Sequence, residues 1–101
     1  MIAIVQVTFP DLPTAERIAR VVIDERVAAC ANLLPCTSLY RWQGAVEHGS
    51  EVLGQFKTNL VRADALVNRL KALHPYEQPA VEWWRVDADA SVADWIEAEV
   101  S

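Results

Sequence analysis

The segment His74-Pro75-Tyr76-Glu77-Gln78-Pro79 places an imidazole, a phenol and a carboxylate between two prolines. Imidazole is a good ligand for copper and zinc, and a few convergent polar groups are typical of a small-molecule pocket. The alternative is a turn that ends a helix and directs the following strand. The prolines favour the turn, whereas for His74, Tyr76 and Glu77 both interpretations stay open.

Two thiols are further candidate metal ligands. Cys30 and Cys36 lie six residues apart, a spacing that matches neither a Cys-x-x-Cys motif nor a disulfide framework. An apolar surrounding favours a small buried residue at Cys30, while Cys36 follows Pro35 in a polar stretch and is expected to be more exposed. Glu47, His48 and Glu51 lie near two glycines, and we interpret them as solvated charges at a hairpin tip.

Aromatic and basic side chains provide the other candidates. Tyr40 and Trp42 alternate with Arg41 and therefore share one face of a strand. Packing across a subunit interface is favoured for Trp42, because a base-stacking platform needs basic neighbours that are absent here. Tyr40 joins Tyr76 and Glu77 as a candidate ligand-binding residue. Lys57 is a candidate anion ligand at the start of a helix, with a packed aliphatic stem as the alternative.

Composition restricts the possible functions. The 101 residues carry 14 Asp and Glu against 9 Lys and Arg, a formal net charge of −5, and such a surface repels nucleic acid. No signal peptide or membrane-length apolar stretch is evident, so we expect a soluble cytoplasmic protein with no membrane partner. No catalytic Ser/His/Asp or Cys/His arrangement is evident, which predicts a non-enzyme. Four tryptophans in so short a chain favour an oligomer.

The periodicity predicts one domain, residues 1–101, with seven elements. The β-branched run at 2–9 predicts an internal strand covered on both faces, and Asp11 predicts the N-cap of a helix that ends near Ala28. Residues 31–42 and 52–58 form a long hairpin with residues 43–51 at its tip. Thr58 or Asn59 caps a second helix that Pro75 ends. A strand at 80–86 follows, and then a short helix that Ser91 caps and that carries Val92, Trp95 and Ile96.

This order, β-α-β-β-α-β, is the split βαβ arrangement. Right-handed crossovers place both long helices on one face of an antiparallel sheet. The predicted fold is therefore α+β and ferredoxin-like, with strand order 4-1-3-2 and an additional short C-terminal helix.

Five segments together resemble the CutA divalent-cation tolerance family. They are "AACANLLP" (28–35), "SLYRWQGAVE" (38–47), "FKT" (56–58), "HPYEQP" (74–79) and "DWI" (94–96). The resemblance spans the chain and implies a homotrimer, similar to the PII signalling proteins, in which the long hairpin pairs with neighbouring subunits. It implies binding of copper(II) or another divalent cation, and no catalytic reaction or required cofactor.

The sequence also departs from the family's pattern. Some members have a cysteine and a first histidine at positions that Val7 and Leu73 occupy here. Of the metal ligands that the resemblance implies, only His74 remains, with Cys30 and Cys36 as possible additions. The predicted function is therefore divalent-cation tolerance with weak metal binding. A PII-like module that senses a small ligand and a purely structural trimer are the alternatives.

Overall fold

The computed structural model describes residues 1–101 and contains four strands and three helices. These are β1 (Ile2–Phe9), α1 (Leu12–Asp24), β2 (Cys30–Trp42), β3 (Ala45–Thr58), α2 (Ala63–Leu73), β4 (Glu82–Val86) and α3 (Ala90–Val100). The strands form one antiparallel sheet in the order β2-β3-β1-β4. Read from the other edge this is the predicted order 4-1-3-2, so the predicted fold is confirmed.

The main core lies between α1, α2 and one face of the sheet. Val5, Val7 and Phe9 of β1 point into it, together with Val52 and Phe56 of the neighbouring strand. Each helix contributes an apolar stripe: Ala15, Ile18, Ala19 and Val22 from α1, and Leu66, Val67 and Leu70 from α2. Because strand side chains alternate between faces, β1 contributes every second residue to this core.

The opposite face of the sheet is largely uncovered, and we call it the open face. The β1 residues on this side, Ile4, Gln6 and Thr8, are only half-buried. The prediction that β1 is covered on both faces is therefore wrong for the single chain. The apolar run reflects a central position between two strands, but α1 and α2 both pack on one side of it.

The hairpin turn is tighter than predicted. Gln43 and Gly44 have φ angles of 49° and 82°, which is the backbone of a two-residue type I′ turn. β3 begins directly afterwards, so Glu47 and His48 lie within this strand, opposite Tyr40 and Leu39. The predicted tip at 43–51 is wrong because a single Gln-Gly pair reverses the chain.

The outer half of this hairpin extends beyond the rest of the sheet. β1 pairs with β3 only from Val52 to Thr58, whereas Cys36–Trp42 and Ala45–Glu51 pair only with each other. We call these two segments the ribbon. They give the molecule an elongated shape, with extents of 44 × 24 × 21 Å.

Helix α1 begins as predicted and ends earlier. Asp11 accepts a hydrogen bond from the Thr14 N–H at 2.8 Å, which confirms the predicted N-cap. The helix ends at Asp24 instead of near Ala28, because Arg26 adopts a left-handed φ of 60°. The Arg26 and Val27 N–H groups then bond to carbonyls of the last turn, as in a Schellman motif. The Arg26 guanidinium also donates to the Glu99 carbonyl of α3 at 3.0 Å.

The remaining boundaries differ from the prediction by a few residues. Thr58 is buried at the end of β3 and does not cap α2. Asn59 accepts from the Arg62 N–H at 2.7 Å, which closes a turn before that helix starts. β4 begins at 82 instead of 80. In α3, Asp89 takes the N-cap position predicted for Ser91.

Helix α3 has 11 residues, as many as α2, and is therefore longer than the short helix predicted. It packs against β3 through a different face from the one predicted. Ile96 and Val100 are fully buried, while Val92 and Trp95 are exposed. The predicted set therefore holds for Ile96 alone. Ile96 and Val100 are four residues apart and share one stripe of the helix. Val92 lies on the same stripe but in the first turn, where it is 37% exposed.

Candidate functional site

A cleft of about 720 Å³ lies on the open face, where the ribbon meets the segment His74–Pro79. Three aromatic rings line it, those of Tyr40, Trp42 and Tyr76. Three carboxylates line it as well, those of Glu51, Glu77 and Glu82. Its volume is in the range of small-molecule sites. A second concavity, of about 200 Å³, lies between the end of α1 and Glu99 and is too small for most ligands.

Tyr76 and Glu51 join the two sides of this cleft. The Tyr76 hydroxyl donates to Glu51 Oε2 at 2.6 Å. Burial raises the pKa of Glu51, but the hydroxyls of Ser38, Tyr76 and Thr8 outweigh it and hold the pKa below its usual value of 4.5. Burial, and then the bond to Glu51, raise the pKa of Tyr76 well above 10.0. At neutral pH a carboxylate therefore accepts from a protonated phenol.

His74 is only 8% exposed and uses both ring nitrogens within the chain. Nδ1 accepts from the Tyr76 N–H at 3.1 Å, so Nε2 carries the proton and donates to the Thr8 carbonyl at 2.7 Å. The ring also stacks on Phe9 with centroids 5.0 Å apart. His74 therefore anchors the segment to the end of β1 and holds Tyr76 over the cleft. In this arrangement neither nitrogen has a free lone pair for a metal.

The structure does not bring the three predicted metal ligands together. Cys30 and Cys36 are both free and half-buried, and a six-residue separation along a strand is about 20 Å. Cys30 lies opposite Lys57, whereas Cys36 lies opposite Glu51 near the cleft. No three His, Cys, Asp or Glu side chains are placed to hold one metal ion.

The predicted ligand-binding residues divide into two groups. Tyr40, Tyr76 and Glu77 all line the cleft, as does Trp42, the predicted interface residue. Lys57 lies farther along β3, opposite Ile4, and does not line it. Since α2 begins only at Ala63, Lys57 is also separated from the helix start where an anion was expected.

Sequence reasoning missed several polar residues of the cleft, among them Gln6, Glu51 and Glu82. Gln55 donates to Gln6 Oε1 at 3.2 Å, and Gln6 donates to Glu82 Oε1 at 3.1 Å. These side chains form a polar row across three strands. The one available signal was Gln6 itself, the exception in the apolar run of β1. Glu51 was missed because it was assigned to the hairpin tip.

An antiparallel βαββαβ sheet with α1 and α2 on one face defines a ferredoxin-like domain. Within this class, the family model described as CutA1 divalent ion tolerance protein matches residues 3–99. The chain belongs to that family.

Relatives from distant organisms support this assignment. The divalent-cation tolerance protein CutA of Pyrococcus horikoshii is 39% identical over 93 residues, which are 92% of this chain and 89% of the relative. The crystal structure of CutA from Xylella fastidiosa matches with a TM-score of 0.94 at 41% identity, over 99% of this chain and 98% of that one. A protein described as the periplasmic divalent cation tolerance protein CutA from Archaeoglobus fulgidus matches with a TM-score of 0.96 at 29% identity, over the full length of both chains.

The helices of this chain are too short and too polar to cross a membrane. The longest, α1, has 13 residues. A span needs about 20 apolar residues.

Proposed function

We propose that this protein contributes to divalent-cation tolerance as a homotrimer of the cytoplasm, and that it acts by binding and assembly without catalysing a reaction. The names of its relatives supply the first part of the proposal. The observation that carries the assembly is the ribbon, which lacks any partner strand within its own chain. Two free thiols fit a reducing compartment.

The exposed strand edges and tryptophans support self-association. A two-stranded ribbon is marginally stable alone in water, and its free edges invite pairing with another chain. All four tryptophans are between 41% and 50% exposed. Burying these rings between subunits removes a large apolar area from water.

Light scattering measures the assembly directly. We expect a particle of three times the 11.3 kDa chain mass at micromolar concentration. A monomer mass would contradict the proposal. The mass of a dimer or a hexamer would support self-association but refute the trimer.

Metal binding by this chain is proposed to be weak and to involve Cys36 more than His74. Both His74 nitrogens are bonded to backbone groups, so a metal has to break one of those bonds. Cys36 is half-buried and lies opposite Glu51. Thiolate sulfur is a good ligand for copper.

A competition titration with a copper(II) chelator tests this arrangement. We expect Cys36→Ser to lower the affinity, and Cys30→Ser, as matched control, to leave it unchanged. His74→Gln is expected to leave the affinity unchanged in the folded fraction, which circular dichroism measures. Loss of copper binding in His74→Gln alone would overturn the assignment.

A PII-like role in sensing a small ligand is the second candidate function. The cleft of about 720 Å³ favours it, because Tyr40, Tyr76 and Glu77 converge there from the ribbon and from the segment after α2. Since Trp42 also lines the cleft, a bound ligand is expected to change tryptophan fluorescence.

A further inference from the structure

We infer that Lys57 forms an ion pair with Glu82 of a neighbouring copy of this chain across the open face. The inference rests on the proposed homotrimer and names the charges by which its subunits recognise one another. Lys57 lies opposite Ile4 in the sheet, and Glu82 lies opposite Gln6. Directly opposed residues of antiparallel strands share a face. Since Ile4 and Gln6 are on the open face, both charges lie there as well.

Lys57 has no anionic partner within its own chain. The one salt bridge of the chain joins Arg69 of α2 to Glu25 at the end of α1. Lys57 is also the only cationic residue that the strands place on the open face. It is half-buried in the single chain and loses more water when a subunit covers this face. Burying the ammonium group is costly unless a carboxylate meets it.

Glu82 is the carboxylate best prepared to accept this cation. Gln55 donates to Gln6 at 3.2 Å, and Gln6 donates to Glu82 Oε1 at 3.1 Å. This row of amides orients the carboxylate and leaves its second oxygen without a donor in the chain. β4 is an edge strand of the sheet, so a neighbouring subunit can approach Glu82 directly.

Two other carboxylates share the open face and fit the lysine less well. Glu51 already accepts from the Tyr76 hydroxyl at 2.6 Å. Glu47 lies near the outer end of the ribbon, where its charge is exposed and stays hydrated. Lys57 and Glu82 therefore each present a charge that the single chain leaves unpaired and that a second copy neutralises.

Such a pair governs how the subunits meet more than how tightly they bind. A buried charge without its partner is costly, so packings that leave Lys57 or Glu82 alone are disfavoured. Subunits of related chains that lack the complementary charge are rejected for the same reason. In a cyclic trimer every interface is equivalent, so the pair is repeated at each of them.

Charge reversal tests the pair in the assembled full-length protein. We expect Lys57→Glu and Glu82→Lys each to raise the concentration of half-dissociation at least about tenfold, since like charges then meet at every interface. The double reversal restores the pair and is expected to lie within about threefold of wild type. Sedimentation over a dilution series measures dissociation, and circular dichroism measures folding. A double reversal that assembles no better than the single ones would overturn the inference.

Two control combinations have the same net charge as the double reversal. Lys57→Glu with Glu16→Lys changes α1, which packs on the other face of the sheet, and is expected not to restore assembly. Equal rescue by this combination would show that net charge alone matters and would overturn the ion pair. Lys57→Glu with Glu47→Lys moves the new cation to the ribbon. Rescue by that combination alone would assign the partner to Glu47 and overturn the assignment to Glu82.

Charge removal provides a second measurement where a reversed chain does not fold. We expect Lys57→Met and Glu82→Gln each to weaken assembly. The two substitutions together are expected to weaken it no more than the stronger single one, because both remove the same contact. Effects that multiply in the double variant would contradict a direct pair.

The mass of the wild-type particle separates this inference from the proposal on which it depends. A wild-type monomer would overturn both. A wild-type trimer whose dissociation neither reversal changes would keep the homotrimer and overturn the ion pair.

Discussion

The hydroxyl of Tyr76 is expected to stabilise the protein measurably. Tyr76→Phe removes the 2.6 Å bond to Glu51 and leaves a half-buried carboxylate with one donor fewer. We expect the free energy of unfolding to fall by about 1 kcal/mol, since the bond involves a charged but partly hydrated group. Urea denaturation measures the change.

Tyr40→Phe is the matched control for this substitution. The Tyr40 side chain is half exposed. The expected change is within about 0.5 kcal/mol. Equal losses in the two variants would mean that the Tyr76–Glu51 bond adds no stability.

The pKa of Glu51 predicts a contribution to acid sensitivity. Burial raises this pKa, but the surrounding hydroxyls outweigh burial and keep it below 4.5 in the folded state. Its contribution is therefore present above pH 4.5 and is lost as the pH falls through the lower folded value. We expect the stability difference between wild type and Glu51→Gln to shrink on acidification from pH 7 to pH 3. A difference that stays constant over this range would contradict the assignment.

Strand β3 depends on a glycine at one position and not at another. A Cβ at Gly54 would lie 2.8 Å from Phe9 Cε2 and 3.0 Å from Phe56 Cε1, and both rings are fully buried. We expect Gly54→Ala to reduce the free energy of unfolding by about 1–3 kcal/mol through overpacking. Gly49→Ala places the same methyl group in open space and should leave the melting temperature unchanged or slightly raised.

At the end of α1, one residue has a strained backbone and a side chain that bonds to α3. Arg26 has a φ of 60° and donates to the Glu99 carbonyl of α3. Arg26→Ala removes this bond and keeps the strain, whereas Arg26→Gly removes both. We therefore expect the glycine variant to be more stable than the alanine variant by about 1 kcal/mol. The reverse order in thermal denaturation would refute this account of the helix end.

The sequence was sufficient to predict the order of the elements and the pairing of the strands. Alternation in β1 and the stripes of α1 and α2 report burial directly, because burial repeats with the period of each element. Element ends were predicted less well. The end of α1 depends on a left-handed arginine, and the hairpin turn on Gln43 and Gly44, which periodicity does not reveal.

The sequence predicted only part of the site, because residue types within short segments are visible in the sequence and contacts between distant segments are not. Tyr40, Tyr76 and Glu77 stood out by residue type within short segments, and the structure places all three in one cleft. Glu51 was assigned to the hairpin tip, and its contact with Tyr76, 25 residues away in the chain, has no local signal in the sequence. One of the two His74 nitrogens is bonded to the Thr8 carbonyl, 66 residues away in the chain. Nothing in the sequence near His74 indicates this contact.

The assembled molecule should depend on Trp42. Its ring lies at the outer end of the ribbon and is 46% exposed in the single chain. If a neighbouring subunit covers the rest, Trp42→Ala removes a large buried ring, at a cost of about 3–5 kcal/mol. We expect dissociation or a much lower melting temperature in light scattering and thermal denaturation. An unchanged particle mass and melting temperature would place this ring in solvent.

The ribbon also links the kinetics of folding to the concentration of chains. The inner part of the sheet closes within one chain, so its formation is unimolecular. The ribbon is marginal alone, and in a proposed homotrimer it is completed only when chains meet, which is a bimolecular event. Refolding is therefore expected to show a fast phase independent of concentration and a slower phase that accelerates on concentrating the protein. At high dilution the chain should persist as a folded body with a frayed hairpin.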